Sequence, residues 1–422
     1  MAKIEKVTAR EILDSRANPT VEAAVHLSDG TIGISSVPSG ASRGTYEAHE
    51  LRDGDSNRYR GMGVLRAVES VNSVIGPGII GMEATLQQEI DKKMIEMDGT
   101  QNKSKLGGNA VLAVSQAVSK ASAKSSLLPL SVYLRQFLSF HADGHKIPTP
   151  LFNMLEGGKH ADNGVDFQEF LVIPASSFDY STSLQIGVDI YNSLKDYLKN
   201  SSLSTGVADE GGFAPDFATN LDALKTLRAA IETTPHAFSK DIFLGLDVAA
   251  SGLVNNRKYS IKDRSGQIDP SDFLAFYKSI ATDYSIIYLE DPFAEDDWES
   301  WRDIHNEMGG NTLIVGDDLT STNPYRLQMA INNNVINALI VKPNQIGTVT
   351  EALAVVEIAK YKNLKVIVSH RSGETNDDFI ADFAVAVSAD YVKFGAPARG
   401  ERVAKYNRLL QIENQLRSLQ VK

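Results

Sequence analysis

Apolar and polar positions change rhythm along this chain. Near the start, "PTVEAAVHL" sets Val21, Ala23, Val25 and Leu27 on one face by strict alternation, which predicts a strand with one buried side. A Ser28-Asp29-Gly30 turn followed by "TIGISSV" extends it to a hairpin. Further on, "GNAVLAVSQAVSKASAKSS" predicts a helix whose small side chains permit close packing. The later part repeats another unit, a short aliphatic run that stops at a polar residue and mostly leads into a helical pattern. The clearest runs are "IFLGLD" ending at Asp247, "SIIYLED" at Glu290, "TLIVGDD" at Asp317, "ALIVK" at Lys342 and "KVIVSHR" at His370 and Arg371. Helix ends are readable between them. Asn323 caps a helix with Pro324 in its first position, and "DDWESWRDIHNEMGG" closes on a glycine pair. Repeated strand–helix units predict a parallel sheet, and five in succession favour a β/α barrel over an open doubly wound sheet.

The expected division is an α+β domain over residues 1–140 and a β/α barrel domain over 141–422, with the Gly- and Pro-bearing stretch 141–150 as linker. A chain of 422 residues suits two domains, and 42% apolar with 23% charged residues is ordinary for a soluble globular protein. The net charge of −11 argues against nucleic acid or an anionic membrane as main partner. It leaves room for a small anionic substrate in a locally basic cleft. Cysteine is absent, so thiolate chemistry and disulfides are excluded. The start carries no secretory pattern and no run reaches the roughly 20 apolar residues of a membrane span, so a cytoplasmic protein is expected. "GPGIIG" (Gly76 to Gly81) matches the dinucleotide pattern, but it follows a helical stretch rather than a strand and is rejected.

In a barrel, the polar tips share the carboxyl-end face where barrel enzymes place their chemistry. Lys342 there is unusual, because lysine is normally kept in water. Asp247, Glu290 and Asp317 converging without histidine or cysteine suit a hard divalent cation, Mg²⁺ rather than Zn²⁺. The bland alternative is that each acid caps the helix after it. Asp291 and Asp318 compete with their neighbours, and alternation lets only one of each pair point inward without saying which. "GVADEGGFAP" offers Glu210 beside two glycines, as a general acid or base or merely a charged turn. "GGKHADNGVDFQEF" holds His160, Gln168 and Glu169, of which the histidine alone would more often be structural. "SHRSGETND" packs His370, Arg371 and Ser372 past a strand, suited to a phosphate or carboxylate or to an interdomain ion pair.

Taken together, "VKPNQIGT", "SHRSGET", "LEDPF", "DEGGFAP", "QEF", "PSGAS" and "DSRANPTVE" resemble the enolase family over nearly the whole chain. The end, "GAPARGERVAKYNRLLQIE", is especially similar to bacterial forms. The resemblance implies an N-terminal α+β domain capping an eight-fold β/α (TIM-like) barrel, and a homodimer. It implies Mg²⁺-dependent dehydration of 2-phosphoglycerate to phosphoenolpyruvate, with two Mg²⁺ per active site. Asp247, Glu290 and Asp317 would hold the first ion and Ser42 would help hold the second. Lys342 would be the base, lowered in pKa by metal ions, Lys393 and Arg371, and Glu210 the protonated acid. Gln168, Arg371, Ser372 and Lys393 would hold substrate, with His160, Glu169 and His370 close by. Ala17, Arg43 and Glu156 depart from the family's glycine, threonine and asparagine, which puts loop closure and rate in question rather than reaction type. Two rivals remain: an acid-sugar dehydratase or racemase of the same superfamily, and a non-catalytic binding protein of this fold. The phosphate-suited "SHRSGE" and "PSGAS" stretches speak against the first, and the complete charged constellation against the second.

Overall fold

The computed structural model describes residues 2–40, 44–140, 146–161 and 163–420. Ser42, Arg43 and the first half of the linker stretch lie outside them. The alternating start forms an antiparallel sheet of β1 (Ile4–Leu13), β2 (Pro19–Leu27) and β3 (Ile32–Ser36). Val21, Ala23, Val25 and Leu27 are buried on one face of β2, against the helix Gly108–Ser125. That helix is buried on nearly every side, which its alanines and serines allow. A Cβ on Gly33 would lie 2.2 Å from the Ala117 carbonyl, so sheet and helix touch through a position without a side chain.

The second part is a closed barrel of β4 (Thr149–Glu156), β5 (Glu169–Pro174), β6 (Ile242–Asp247), β7 (Ile286–Glu290), β8 (Leu313–Gly316), β9 (Ala338–Val341), β10 (Lys365–Ser369) and β11 (Tyr391–Lys393). Among the described residues, no helix is long and apolar enough to cross a membrane. The expected all-parallel sheet needs one correction. Strand β5 runs antiparallel to both β4 and β6, because only a loop with a short 3₁₀ turn, and no crossover helix, joins β4 to β5. The reversal matters for function. It brings the first residue of β5, Glu169, level with Glu156 and Asp247 at the carboxyl ends of its neighbours.

Backbone pairing fastens the first domain over the barrel's mouth. Ser39 and Gly373 exchange two N–H···O bonds, of 2.7 and 2.9 Å, and the Ala48 N–H reaches the Gln345 carbonyl at 2.7 Å. Asp377 completes the seam, accepting from Ser36 N (2.9 Å), Ser35 Oγ (2.9 Å) and Lys120 Nζ (2.7 Å). Burial pushes the Asp377 carboxyl up, but Lys120 and these donors outweigh it and leave its pKa below the usual value. Ala17 stands at φ +58° in the turn before β2, the left-handed region that favours glycine.

Candidate active site

Strand parity decides which side chains meet at the mouth. On β9, Ala338 and Ile340 enter the plug inside the barrel, whereas Leu339 and Val341 face the surrounding helices. Lys342 is the next inward position. By the same count Tyr288 leads to Glu290, Val315 to Asp317, Tyr391 to Lys393, and Ile173 and Leu171 to Glu169. This parity answers what alternation in the sequence left open for the paired acids. Asp291, at φ +43°, turns aside and accepts from the Asp317 and Asp318 N–H groups at 3.0 and 2.8 Å, holding the loop after β8. Asp291 and Asp318 both still line the pocket, and their ligand atoms and those of Asp317 lie within 4.8 Å of one another.

One half of the mouth is dense in carboxylates. Lys393 Nζ donates to both Glu290 oxygens at 2.8 Å, to Asp247 Oδ2 at 3.1 Å and to Glu169 Oε1 at 3.3 Å. Gln168 Nε2 donates to Asp247 Oδ2 at 3.2 Å. Lys342 Nζ contacts Asp317 Oδ2, whose other oxygen accepts from Gln345 Nε2 at 3.1 Å. The two lysines do not balance the charge. Burial and Asp247 push Glu290 up to about 8, and burial and Asp317 push Asp318 up to about 7. A buried oxygen-donor set with surplus negative charge fits a hard divalent cation such as Mg²⁺.

Burial pulls the Lys342 pKa down, and Arg371 and Lys393 act on it in the expected downward direction. Contact with Asp317 more than compensates, and the ammonium is favoured.

The other half is organised around Glu210, which is buried. Its Oε2 accepts from Asn153 Nδ2 at 3.3 Å and lies 3.1 Å from His370 Nε2, and Ser372 Oγ is 3.1 Å from its Oε1. Arg402 Nη1 is 2.7 Å from His370 Nδ1. A guanidinium only donates, so Nδ1 accepts and Nε2 carries the proton toward Glu210. Burial, aided by Arg402, takes His370 down to about 3 despite Glu210, so the ring is neutral. Burial pushes Glu210 up, yet the N–H donated by His370 and the Arg402 guanidinium act against it, and its pKa lies well below the usual carboxylate range. The protonated Glu210 expected of an acid is thus not the resting form. Glu156 behaves oppositely: burial and the Glu210 charge raise its pKa well above normal, although its oxygens accept from Gly212 N (2.6 Å) and Glu210 N (3.2 Å).

Arg371 reaches the mouth paired with Glu47 of the first domain, Nη1 to Oε2 at 2.9 Å. Every described candidate except Glu290 lines the same pocket, and Glu290 reaches it through Lys393. The candidate Ser42 lies outside the described residues. Sequence reasoning missed Glu47, Asn153, Gln345 and Arg402, which act at the mouth from other elements and follow no strand-tip pattern. Family models match in two stretches. The enolase N-terminal domain covers residues 4–134, and the enolase C-terminal TIM barrel domain covers residues 144–421.

Proposed function

The chain belongs to the enolase family and dehydrates 2-phosphoglycerate to phosphoenolpyruvate; on that premise we propose that Lys342 removes the carbon-2 proton and Glu210 protonates the departing hydroxide. The supporting observation is that an amine and a carboxyl, Lys342 and Glu210, line one pocket with clustered acids beside them. The chemical difficulty is a proton on carbon next to a carboxylate, whose removal builds a second negative charge. Asp247, Glu290 and Asp317 would hold one Mg²⁺ and Ser42 would help hold a second. When bound, these ions supply the positive charge that stabilises the dianionic intermediate.

To act as a base, Lys342 must be neutral. From an ordinary value near 10.4, that costs about 4.6 kcal/mol at pH 7. Contact with Asp317 adds to the cost. Once Asp317 is engaged elsewhere, Lys342 keeps its burial and the charges of Arg371 and Lys393, each of which disfavours an ammonium. Arg371 and Ser372 would hold the phosphate, with Gln168 and Lys393 at the carboxylate end and His160, Glu169 and His370 around the reacting carbons. A homodimer, which rests on the resemblance, and a cytoplasmic location and domains spanning 1–140 and 141–422, which rest on the sequence pattern, complete the proposal.

Phosphoenolpyruvate formation followed by absorbance, with Mg²⁺ and with EDTA, tests this reading. Turnover is expected only with the metal. Turnover of unphosphorylated acids with none of 2-phosphoglycerate would overturn it in favour of a related dehydratase or racemase.

A further inference from the structure

The resting arrangement has a proton on the wrong carboxyl. Glu210 is charged where its role needs an acid, and the neighbouring Glu156 is the group that burial keeps protonated. Between them stands a line of groups able to pass a proton, hydrogen-bonded except at its first link. His160 Nδ1 is 3.8 Å from Glu156 Oε2, and it is buried with no hydrogen-bond partner. His160 Nε2 is 3.2 Å from Ser372 Oγ, which is 3.1 Å from Glu210 Oε1. A buried ring nitrogen without a partner is uncommon.

We propose that Glu156, His160 and Ser372 form a proton relay that charges Glu210 with the proton it delivers to the leaving hydroxide. The step balances with one proton and no other reactant. The Glu156 Oε2–H bond breaks as His160 Nδ1–H forms. His160 Nε2–H breaks as a new Ser372 Oγ–H forms, and the old Ser372 Oγ–H breaks as Glu210 Oε1–H forms. Afterwards Glu156 is the carboxylate, Glu210 the acid, and His160 the other neutral tautomer. Burial supports the ring's part, because it lowers the His160 pKa and keeps the ring neutral. The relay runs before substrate engages Ser372, and it rests on the reading of Glu210 as the acid.

Other charges face the line. Arg402 acts on both Glu156 and Glu210, His370 touches Glu210, and Asp247, Lys393 and Asp209 act on His160. Tyr191 lies near Glu156. Glu169 Oε1 is 3.9 Å from the same Nδ1, but it accepts from the Lys393 ammonium at 3.3 Å. Burial raises the Glu169 pKa well above normal despite Lys393, so both acids favour a proton. Glu156 is the relay's donor because its Oε2 is the nearer to Nδ1 and Glu169 Oε1 is already engaged by Lys393.

The test is the pH profile of dehydration in Glu156→Gln and Glu156→Asp, each rate taken relative to carbon-2 proton exchange in the same sample. With glutamine, Glu210 must draw its proton from solvent. The alkaline limb should then move to lower pH by about one unit or more, roughly a tenfold loss at a fixed pH on that limb. Aspartate keeps a titratable proton and should return the limb toward its parental position. A glutamine profile superimposable on the parent, or equal shifts in both variants, would overturn the relay; the latter would reduce Glu156 to a packing role. Parental dehydration in Glu210→Gln would instead overturn the assignment of Glu210, whatever the Glu156 variants do.

Discussion

The floor and the mouth of the barrel are built by the same strands and both are largely buried, yet they do opposite things. Ile340 and Glu290 are both 0% exposed. The floor is a plug of Leu151, Leu171, Ile173, Tyr288, Val315, Ala338, Ile340 and Ile367. One inward step later the positions become Glu169, Glu290, Asp317, Lys342 and Lys393. Burying aliphatic groups is favourable, whereas each buried charge carries a desolvation cost that its partners only partly offset. Position in the strand pattern therefore separates stability from chemistry, and burial does not.

The largest expected effect is on the mouth alone. EDTA should abolish turnover while leaving the cooperative unfolding transition of the protein in place, as followed by circular dichroism. Next, Ile340→Ala should cost about 2–5 kcal/mol in denaturant unfolding. The folded fraction should retain carbon-2 exchange within about threefold, which is far from the roughly 10²–10⁴-fold contribution of a general base. A collapse of exchange in that variant would erase the distinction between floor and mouth.

A buried acid at the domain seam supplies a contrast in sign. Asp377 has a lowered pKa, so its stabilisation is present above the unfolded value near 3.9 and disappears as pH falls through the folded one. Asp377→Asn should destabilise the protein at pH 7 by about 1.5–3 kcal/mol, and should flatten the acid limb of stability below about pH 4. The smallest effect is expected at Ala17, where Ala17→Gly should stabilise by about 1–2 kcal/mol through relief of the left-handed backbone. Melting-temperature shifts of the two variants would check both.

The polar tips from Asp247 to Arg371 were legible because alternation is local and the barrel rim gathers whatever ends its strands. The reversal of β5 was not legible. "TPLFNML" and "EFLVIP" are mostly apolar runs, and such runs carry no direction. Arg402 was missed because it lies on a C-terminal helix, and it decides the His370 tautomer through a fold-made contact. Protonation was the least readable property. The cations around Lys342 were foreseen, but the Asp317 contact that reverses its shift depends on two strands meeting in register. Glu156 stood out in sequence only as a departure from the family pattern. Its proximity to Glu210 comes from the loop that follows residue 208 folding back onto β4, with the Phe213 N–H on the Met154 carbonyl.

The most direct test of the account is exchange of the carbon-2 proton of 2-phosphoglycerate with solvent, followed by NMR in Lys342→Ala and Glu210→Gln. The account predicts no exchange in the first variant, and exchange without dehydration in the second. Exchange that survives loss of Lys342 but vanishes with Glu210 would contradict it.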